Sequence, residues 1–317
     1  YQYVKGELHM YRDLLVGSTG FVGGNLVAKH TFTAACHSSD IAAQYGTRPD
    51  LCVYAGVPAA MFLANADPEA DMEVMRTARE NLRKIAPKSL VLISSIAVFA
   101  DSRGRCEDDA PDTDGLPAYG RNRLQLEQWV REDFNDALIV RLPALYGAGL
   151  KKNFLFDLHT ITPAMLKPEK FNELAEKFPL VKTGYTLADN GFYKLNGTAD
   201  KTALKEFFAG NDFNALAFTD SRSRYQFYNL GRLWQDIEAA RAAGLTMLHL
   251  CTPPISAAEV YTAVTGKADW TNELPRSPFD YDLRSRYAAV LGGSGDYLCT
   301  KEEELDDVTH FLREWRD

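Results

Sequence analysis

The amino-acid sequence predicts an α/β protein with a doubly wound parallel sheet and a smaller C-terminal lobe. Through the first half, short apolar segments alternate with segments that have the spacing of amphipathic helices. This alternation is typical of parallel strands joined by right-handed crossovers, with helices covering both faces of the sheet. After residue 150 the chain becomes rich in Lys, Glu, Phe and Asn, and prolines interrupt it. A length of 317 residues is enough for one large domain or two modest ones.

The predicted elements follow one another in a regular order along the chain. In the first half, strands are predicted at residues 13–16, 32–36, 51–55, 89–94 and 137–142, and helices at 24–29, 69–85 and 119–134. In the second half, helices are predicted at 233–243 and 256–265, and residues 224–230 and 246–251 are predicted to return to the core sheet. These elements give a core domain over residues 10–150 and a lobe over 151–317. Residues before Met10 are interpreted as an added leader.

The charge and composition argue against several classes of protein. The chain has 35 Lys and Arg residues against 43 Asp and Glu, a formal net charge of -8, so neither nucleic acid nor an anionic membrane is expected as a partner. The hydrophobic fraction of 46% excludes a disordered chain. Cysteines without CxxC spacing indicate reduced thiols and a cytoplasmic location. The histidines lack ligand spacing, so no metal is expected. The acidic residues 302–304 are interpreted as the exposed first turn of a terminal helix.

The strongest local motif is the glycine-rich segment Gly17-Ser-Thr-Gly20-Phe-Val-Gly23, between the first predicted strand and helix. Glycines at such a turn let the backbone approach a pyrophosphate, which binds at the start of the helix. The same turn can also serve plain strand-to-helix packing, but its place in a βαβ unit favours a Rossmann-type dinucleotide site. The candidate cofactor contacts in this motif are Gly17, Thr19, Gly20, Phe21, Val22 and Gly23.

Two further motifs carry hydroxyl groups. A predicted buried strand ends in Ser94 and Ser95, whose hydroxyls could equally satisfy backbone groups there. Tyr119 and Arg123 are four residues apart at the start of a predicted helix, so they share one face. A guanidinium at that spacing would make the phenol a better proton donor near neutral pH. Taken alone, a pair of this kind is more often a surface contact.

Together these motifs resemble the extended short-chain dehydrogenase/reductase family, particularly its nucleotide-sugar epimerases, dehydratases and reductases. Further matches are the segments Val53-Tyr-Ala55-Gly56 and Arg141-Leu-Pro-Ala-Leu-Tyr-Gly147. The resemblance is strong over residues 11–155, patchy over 220–265 and absent between them. It implies NAD or NADP as cofactor, with contacts beyond the glycine-rich segment at Ala55, Gly56, Ser94, Tyr119, Arg123, Leu142 and Pro143.

The resemblance also implies a catalytic set of Ser95, Tyr119 and Arg123. Ser95 would hydrogen-bond the reacting oxygen, Tyr119 would exchange a proton with it, and Arg123 would orient the ribose and tune Tyr119. The family has lysine where this chain has Arg123, and a planar guanidinium cannot overlay an ammonium group. This departure leaves open a working variant, a slowed enzyme or a cofactor-binding protein without turnover. Because Ser95 and Tyr119 match the family pattern, the sequence favours the working variant.

The choice between NAD and NADP depends on the end of the second strand, Cys36-His37-Ser38-Ser39-Asp40. Asp40 could bind the ribose hydroxyls of NAD, or it could instead cap a turn. Ser38 and Ser39 would suit the 2′-phosphate of NADP, but no arginine is adjacent. The short link to the third strand resembles the dTDP-4-dehydrorhamnose reductase branch more than the epimerase branch.

Candidate substrate contacts beyond Ser95 lie further along the chain. Asn153 and Arg224 fall where the family begins its substrate contacts, and Arg224 would suit a diphosphate or could be a solvated charge. Asn65 could face the active site or stabilise a turn. Tyr185, Phe192 and Tyr193 could line a sugar pocket, but a small core of this segment is the favoured interpretation.

Two functions from different classes follow. The first is an NAD(P)-dependent oxidoreductase or epimerase that acts on a small molecule, a nucleotide-activated sugar or related keto compound, by hydride transfer. Ile96 and Ala97 stand where the family's dehydratases place an acid and a base, which argues against 4,6-dehydration. The alternative is a catalytically weak or inactive cofactor-binding regulatory or scaffold protein on the same fold. A two-fold homodimer is compatible with either function.

Overall fold

A computed structural model describes residues 2–4, 7–9 and 11–315, the first two segments by their backbone only. Met10, the predicted start of the core domain, lies outside the described residues. The chain divides into two compact units, each made of separate segments. The first unit comprises Tyr1–Leu150, Tyr225–Pro254 and Asp280–Glu304, and the second comprises Lys151–Arg224, Ile255–Phe279 and Leu305–Asp317.

Short strands and helices alternate along the described chain. The strands are β1 (Gln2–Val4), β2 (Glu7–His9), β3 (Asp13–Val16), β4 (Ala34–Cys36), β5 (Leu51–Tyr54), β6 (Leu90–Ser95), β7 (Leu138–Leu142), β8 (Ala144–Tyr146), β9 (Met165–Leu166), β10 (Tyr185–Leu187), β11 (Tyr193–Leu195), β12 (Arg224–Tyr225), β13 (Phe227–Asn229), β14 (Met247–His249) and β15 (Ile255–Ser256). The α-helices are α1 (Phe21–Val27), α2 (Met61–Ala66), α3 (Pro68–Ile85), α4 (Ala118–Asp133), α5 (Phe154–Thr160), α6 (Pro168–Lys177), α7 (Pro179–Gly184), α8 (Lys201–Ala209), α9 (Leu233–Ala242), α10 (Ala257–Thr265) and α11 (Lys301–Glu314).

The first unit is built on a six-stranded sheet in the order β14-β7-β6-β5-β3-β4. All of its strand pairs are parallel, which confirms the predicted fold class. The chain passes from β3 to β4 on one side and then returns to β5 on the other side of β3. The order of strands therefore reverses next to β3, and in open α/β sheets ligands bind at such a reversal.

Two apolar layers cover the faces of this sheet. Leu15 and Val53 belong to a buried cluster that includes residues of α1 and α9. Leu14 and Cys52 belong to a second buried cluster, which includes residues of α3 and α4. Neighbouring residues of one strand point to opposite faces, so β3 and β5 are buried along their whole length.

The segments near 224–251 that were predicted to return to the core sheet have two different positions. Met247–His249 joins the six-stranded sheet beside β7. Phe227–Asn229 belongs to the first unit but pairs instead with β8, in a separate two-stranded parallel sheet. The residue between β7 and β8 is Pro143, which has no backbone N–H to continue the ladder of β7. The chain therefore leaves the main sheet at Pro143, and β13 follows β8 rather than β7.

The second unit has its own small core. Strands β10, β11 and β9 form an antiparallel sheet, and Leu174, Val181 and Phe208 of the neighbouring helices are buried in the same cluster. Tyr185 is buried there and donates its hydroxyl to the carbonyl oxygen of Pro163 at 2.6 Å. Tyr193 packs against the same cluster, so both tyrosines belong to the core of the second unit. Among the residues that the structure describes, no helix combines the length and hydropathy needed to cross a membrane.

Candidate active site

The predicted site residues of the first unit gather at one edge of the main sheet. Because all six strands are parallel, their carboxyl ends lie at the same edge. The register pairs Val16 with Cys36 and Tyr54, and it pairs Ser95 with Leu142. The segments that follow these strand ends are therefore neighbours: the glycine-rich turn, residues 37–40, Ala55 with Gly56, and Pro143.

The glycine-rich turn lies where only glycine fits. Gly17 has φ of +92°, and a Cβ at this position would lie 2.5 Å from the carbonyl oxygen of Ala55. A Cβ at Gly23 would overlap the carbonyl oxygen of Gly17, whereas one at Gly20 would lie 3.3 Å from it. The backbone of β3, the turn and the end of β5 thus form a close-packed cradle with no side chain at Gly17 or Gly23. Close packing of this kind builds the tight turn that precedes a helix, and in Rossmann-type folds a pyrophosphate binds at the start of that helix.

Asp40 caps the turn that follows β4. Its Oδ1 accepts the backbone N–H of His37 at 2.8 Å, and the hydroxyl of Ser39 is 2.8 Å from His37 Nδ1. The structure therefore shows the cap, and the contact of Asp40 with the ribose of NAD stays a prediction. The carboxylate remains half exposed. Ser38 and Ser39 are exposed beside it.

Ser94 belongs to a buried polar network that the sequence did not reveal. Its hydroxyl donates to Glu127 Oε1 at 2.6 Å, and Arg141 donates from Nε and Nη2 to the two Glu127 oxygens at 3.0 and 2.6 Å. Arg141 Nη1 also donates to His249 Nε2 at 3.1 Å, so His249 carries its proton on Nδ1 and donates it to the carbonyl oxygen of Arg284. Burial, together with the adjacent Arg141, lowers the pKa of His249 to about 4. The network joins α4 to three strands of the sheet.

Ser95 and Tyr119 are held by backbone contacts that leave their hydroxyl hydrogens available. The Ser95 oxygen accepts the backbone N–H of Ala97 at 3.1 Å. The backbone N–H of Tyr119 donates to Asn65 Oδ1 at 2.9 Å, so Asn65 caps the start of α4. Among the described residues, no acceptor lies within hydrogen-bond distance of either the Ser95 or the Tyr119 hydroxyl.

Gly120 brings the helix of Tyr119 against the turn of Ser95. A Cβ at Gly120 would overlap the carbonyl oxygen of Ala97, in the 3-10 helix Ile96–Val98 that follows β6. A glycine inside a predicted helix is a sequence signal of such close packing. The contact places the backbone of α4 directly against the turn that follows Ser95.

The resemblance implies that Arg123 contacts the ribose of the cofactor, but in the structure its guanidinium binds groups of the protein. Its Nη1 donates to Asp71 Oδ2 at 2.5 Å, and its Nη2 donates to the carbonyl oxygen of Pro58 at 2.7 Å. Its Cζ lies 3.7 Å from the centroid of the Tyr119 ring. The guanidinium is buried, and Asp71 was not a candidate in the sequence because it is far from Arg123 along the chain. The ribose contact thus stays a prediction.

The two predicted substrate residues Asn153 and Arg224 lie in the second unit. Asn153 has φ of +98°, and its side-chain oxygen caps α5 by accepting the backbone N–H groups of Leu155 and Phe156 at 3.0 and 3.2 Å. Such a φ is unusual for a residue other than glycine, and strained positions of this kind cluster at functional sites. The Arg224 side chain is exposed, and its backbone N–H donates to the carbonyl oxygen of Phe279 at 2.8 Å.

The parallel sheet and the glycine cradle at the reversal of strand order define a Rossmann-type α/β protein. Within it, residues 13–164 match the model of the RmlD substrate binding domain family. This match confirms the resemblance to the extended short-chain dehydrogenase/reductase family. No curated protein sequence matches the chain.

Solved structures share the fold over almost the whole chain. The dTDP-4-dehydrorhamnose reductase of Yersinia enterocolitica has a TM-score of 0.62 at 14% identity, over 96% of this chain and 99% of that one. The dTDP-4-dehydrorhamnose reductase of Bacillus anthracis, in complex with NADP, has a TM-score of 0.60 at 16% identity, over 98% and 100%. The UDP-N-acetylglucosamine 4-epimerase of Methanobrevibacter ruminantium, in complex with UDP-N-acetylmuramic acid, has a TM-score of 0.60 at 7% identity, over 96% and 98%. At these identities the likeness is one of fold.

Proposed function

We propose that this protein is an NAD(P)-dependent oxidoreductase or epimerase that acts on a nucleotide-activated sugar or a related keto compound. The observation that carries this proposal is the close contact between Gly120 and Ala97, which brings the helix of Tyr119 against the turn of Ser95 at the edge of the sheet that holds the glycine cradle. The reductases and the epimerase that share the fold act on nucleotide sugars by their names, which supports the substrate class.

The residues of the cradle fit a dinucleotide. A Cβ at Gly17 or Gly23 would collide with the backbone of Ala55 or of Gly17, so these glycines let the turn pack closely at the start of α1, where a pyrophosphate binds in Rossmann-type folds. Ala55, Gly56, Leu142 and Pro143 follow neighbouring strand ends and would contact the rest of the cofactor. When bound, a nicotinamide dinucleotide supplies or accepts the hydride. Binding of NADP by the Bacillus anthracis reductase supports this assignment.

Tyr119 would move the proton that accompanies hydride transfer. Its hydroxyl has no hydrogen-bond partner among the described residues, and the ring is buried, so the group is held and still accessible at its tip. Ser95 would donate its hydroxyl hydrogen to the substrate oxygen, because the Ser95 oxygen already accepts from Ala97. That Asn153 and Arg224 bind the nucleotide sugar stays a prediction, in which the Arg224 guanidinium suits a diphosphate.

Binding and turnover test the proposal together. Calorimetric titrations with NAD⁺, NADH, NADP⁺ and NADPH are expected to show micromolar binding of one oxidised and reduced pair. That pair is then used to screen nucleotide sugars by the absorbance of the reduced nicotinamide. Tyr119→Phe is expected to lower kcat by about 10²-fold or more, with the affinity for the cofactor unchanged. Failure of all four dinucleotides to bind would exclude the oxidoreductase.

A cofactor-binding regulatory or scaffold protein is the second candidate. The observation that favours it is the pairing of Arg123 with Asp71 and Pro58, which occupies donors that a ribose contact would use. For such a protein, a dinucleotide still binds, but Tyr119→Phe changes no measurable turnover. Tyr119→Phe therefore distinguishes the oxidoreductase from the regulatory or scaffold protein.

A further inference from the structure

Several hydrogen bonds join the start of α4 to the segment that runs from the end of β5 to the first turn of α3. Asn122 Nδ2 donates to the carbonyl oxygen of Pro68 and to Asp71 Oδ2, at 2.9 Å each. Arg123 Nη1 donates to the same Asp71 oxygen at 2.5 Å, and Nη2 donates to the carbonyl oxygen of Pro58 at 2.7 Å. One oxygen of Asp71 is therefore the shared acceptor for two consecutive residues of α4.

The ion pair between Asp71 and Arg123 is buried. Only 10% of the Asp71 side chain and 5% of the Arg123 side chain are exposed. A guanidinium in such a place needs its partner, because an unpaired buried charge is strongly unfavourable. Asp71 also lies in the first turn of α3, where the helix dipole favours a carboxylate. Asp71 therefore determines where the guanidinium of Arg123 lies.

The guanidinium lies over the ring of Tyr119. Its Cζ is 3.7 Å from the ring centroid, and Nη1 also donates to the Tyr119 carbonyl oxygen at 3.2 Å. A planar cation over an aromatic face is a favourable and directional contact, which arginine makes better than lysine. The ring of Tyr119 is thus packed against a group that Asp71 and Pro58 hold by hydrogen bonds.

We propose that Asp71 is a positioning residue that acts through Arg123 on Tyr119. It holds the guanidinium against the ring and so fixes the direction in which the Tyr119 hydroxyl points. The catalytic meaning of this role rests on the proposed function, in which Tyr119 transfers the proton. A lysine at position 123 has no planar fork, and it could not contact Asp71 and Pro58 while stacked on the ring. Asp71 and Arg123 therefore work as one unit.

The first test observes the Tyr119 ring without any turnover. Protein labelled with ring-¹³C tyrosine has 15 tyrosine signals, and the Tyr119 signal is the one that Tyr119→Phe removes. Asp71→Asn is expected to shift or broaden this signal, because the guanidinium is released from the ring. Glu69→Gln removes the same charge from the same helical turn, but Glu69 is exposed and pairs with Arg76, so it should leave the signal unchanged. An unchanged Tyr119 signal in folded Asp71→Asn would overturn the proposal.

The second test asks whether Asp71 acts only through Arg123. With NADPH and dTDP-4-dehydrorhamnose as probe substrate, Asp71→Asn is expected to lower kcat about tenfold, while KM and NADPH affinity change less than about twofold. Arg123→Met combined with Asp71→Asn is expected to be no slower than Arg123→Met alone. Additive losses would contradict action through Arg123. If Asp71→Asn does not fold, Arg123→Lys replaces it, with the same expected movement of the Tyr119 signal.

Failure of this inference can be told apart from failure of the proposed function. If Asp71→Asn moves the Tyr119 signal but Tyr119→Phe leaves turnover unchanged, the positioning role stands and the proposed function is wrong. If Tyr119→Phe abolishes turnover while Asp71→Asn keeps both the signal and kcat of the parent protein, the positioning role is wrong.

Discussion

Gly120 lies so close to Ala97 that a Cβ on the glycine would overlap the alanine carbonyl oxygen. The contact joins α4, which carries Tyr119, to the turn that Ser95 caps. Backbone meets backbone at this contact, and Ile96 and Leu124 of the two elements belong to one buried cluster. A substitution at Gly120 must move one element relative to the other.

Gly120→Ala is therefore expected to destabilise the protein and to reduce activity. Alanine is a better helix former than glycine by about 1 kcal/mol, but overpacking against a backbone carbonyl costs about 1–3 kcal/mol and outweighs that gain. The matched control is Gly24→Ala, in α1, where a Cβ meets no atom within 4 Å among the described residues. Thermal unfolding should show a lower Tm for Gly120→Ala and an equal or higher Tm for the control. Equal Tm values for both variants would contradict the close contact.

The glycine cradle predicts a graded effect of alanine substitutions. Gly17→Ala introduces a Cβ 2.5 Å from the Ala55 carbonyl oxygen at a φ of +92°, so it should destabilise the fold and weaken dinucleotide binding by tenfold or more, on the order of 1.4 kcal/mol. Gly20→Ala places its Cβ 3.3 Å from the Gly17 carbonyl oxygen, so a smaller shift suffices. Urea unfolding and calorimetric titration with NADPH measure both effects. A larger loss for Gly20→Ala would reverse the predicted order.

The buried pair of Glu127 and Arg141 predicts non-additive mutations. Arg141→Met leaves the Glu127 carboxylate without its ion-pair partner in the interior, and it should cost about 3–5 kcal/mol of unfolding free energy. Glu127→Leu combined with Arg141→Met removes both charges and should recover most of that loss. Urea unfolding at pH 7 provides the comparison. A double variant that is less stable than Arg141→Met would mean that the ion pair itself contributes net stability.

Glu304 predicts a loss of stability as the pH rises. Its Oε1 accepts the backbone N–H of Phe227 and the hydroxyl of Thr252, its Oε2 has no partner among the described residues, and burial raises the pKa of this carboxyl to about 8. In the unfolded chain it titrates near its ordinary value of 4.5. Between these two values the folded state holds a proton that the unfolded state has released. The contribution is therefore fully present below pH 4.5 and is lost as the pH rises to 8.

Glu304→Gln should remove this dependence, because an amide keeps the acceptor and cannot ionise. Unfolding free energies measured from pH 5 to 8 should fall more steeply in the parent protein, by up to about 1.4 kcal/mol per pH unit. Glu302→Gln, at an exposed position of the same helix, is the control and should keep the slope of the parent protein. Burial also raises the pKa of Asp157, to about 7, so only the difference between variants isolates Glu304. Parallel pH curves for Glu304→Gln and the parent protein would contradict the assignment.

Several positions show what could be predicted from local sequence. The glycine-rich turn, the buried strands and the shared face of Tyr119 and Arg123 all depend on residues close together in the chain. The spacing of these residues along the chain was therefore enough to predict these features. Of the acidic residues at 302–304, interpreted as an exposed helical turn, Glu302 and Glu303 are exposed but Glu304 is buried. The difference arises because the third position faces Phe227 and Thr252, which no local pattern connects to it.

The sequence by itself determined the class of fold and the glycine turn, because periodicity and spacing are properties of short segments, whereas the roles of Ser95 and Tyr119 are implied by the family resemblance. Tertiary structure alone decided that β13 pairs with β8, that Asp40 caps its own turn and that Arg123 pairs with Asp71 across 52 residues of chain. Hydrogen bonds and ion pairs between distant segments depend on which surfaces the folded sheet brings together. That arrangement is a property of the whole chain, and no single motif contains it.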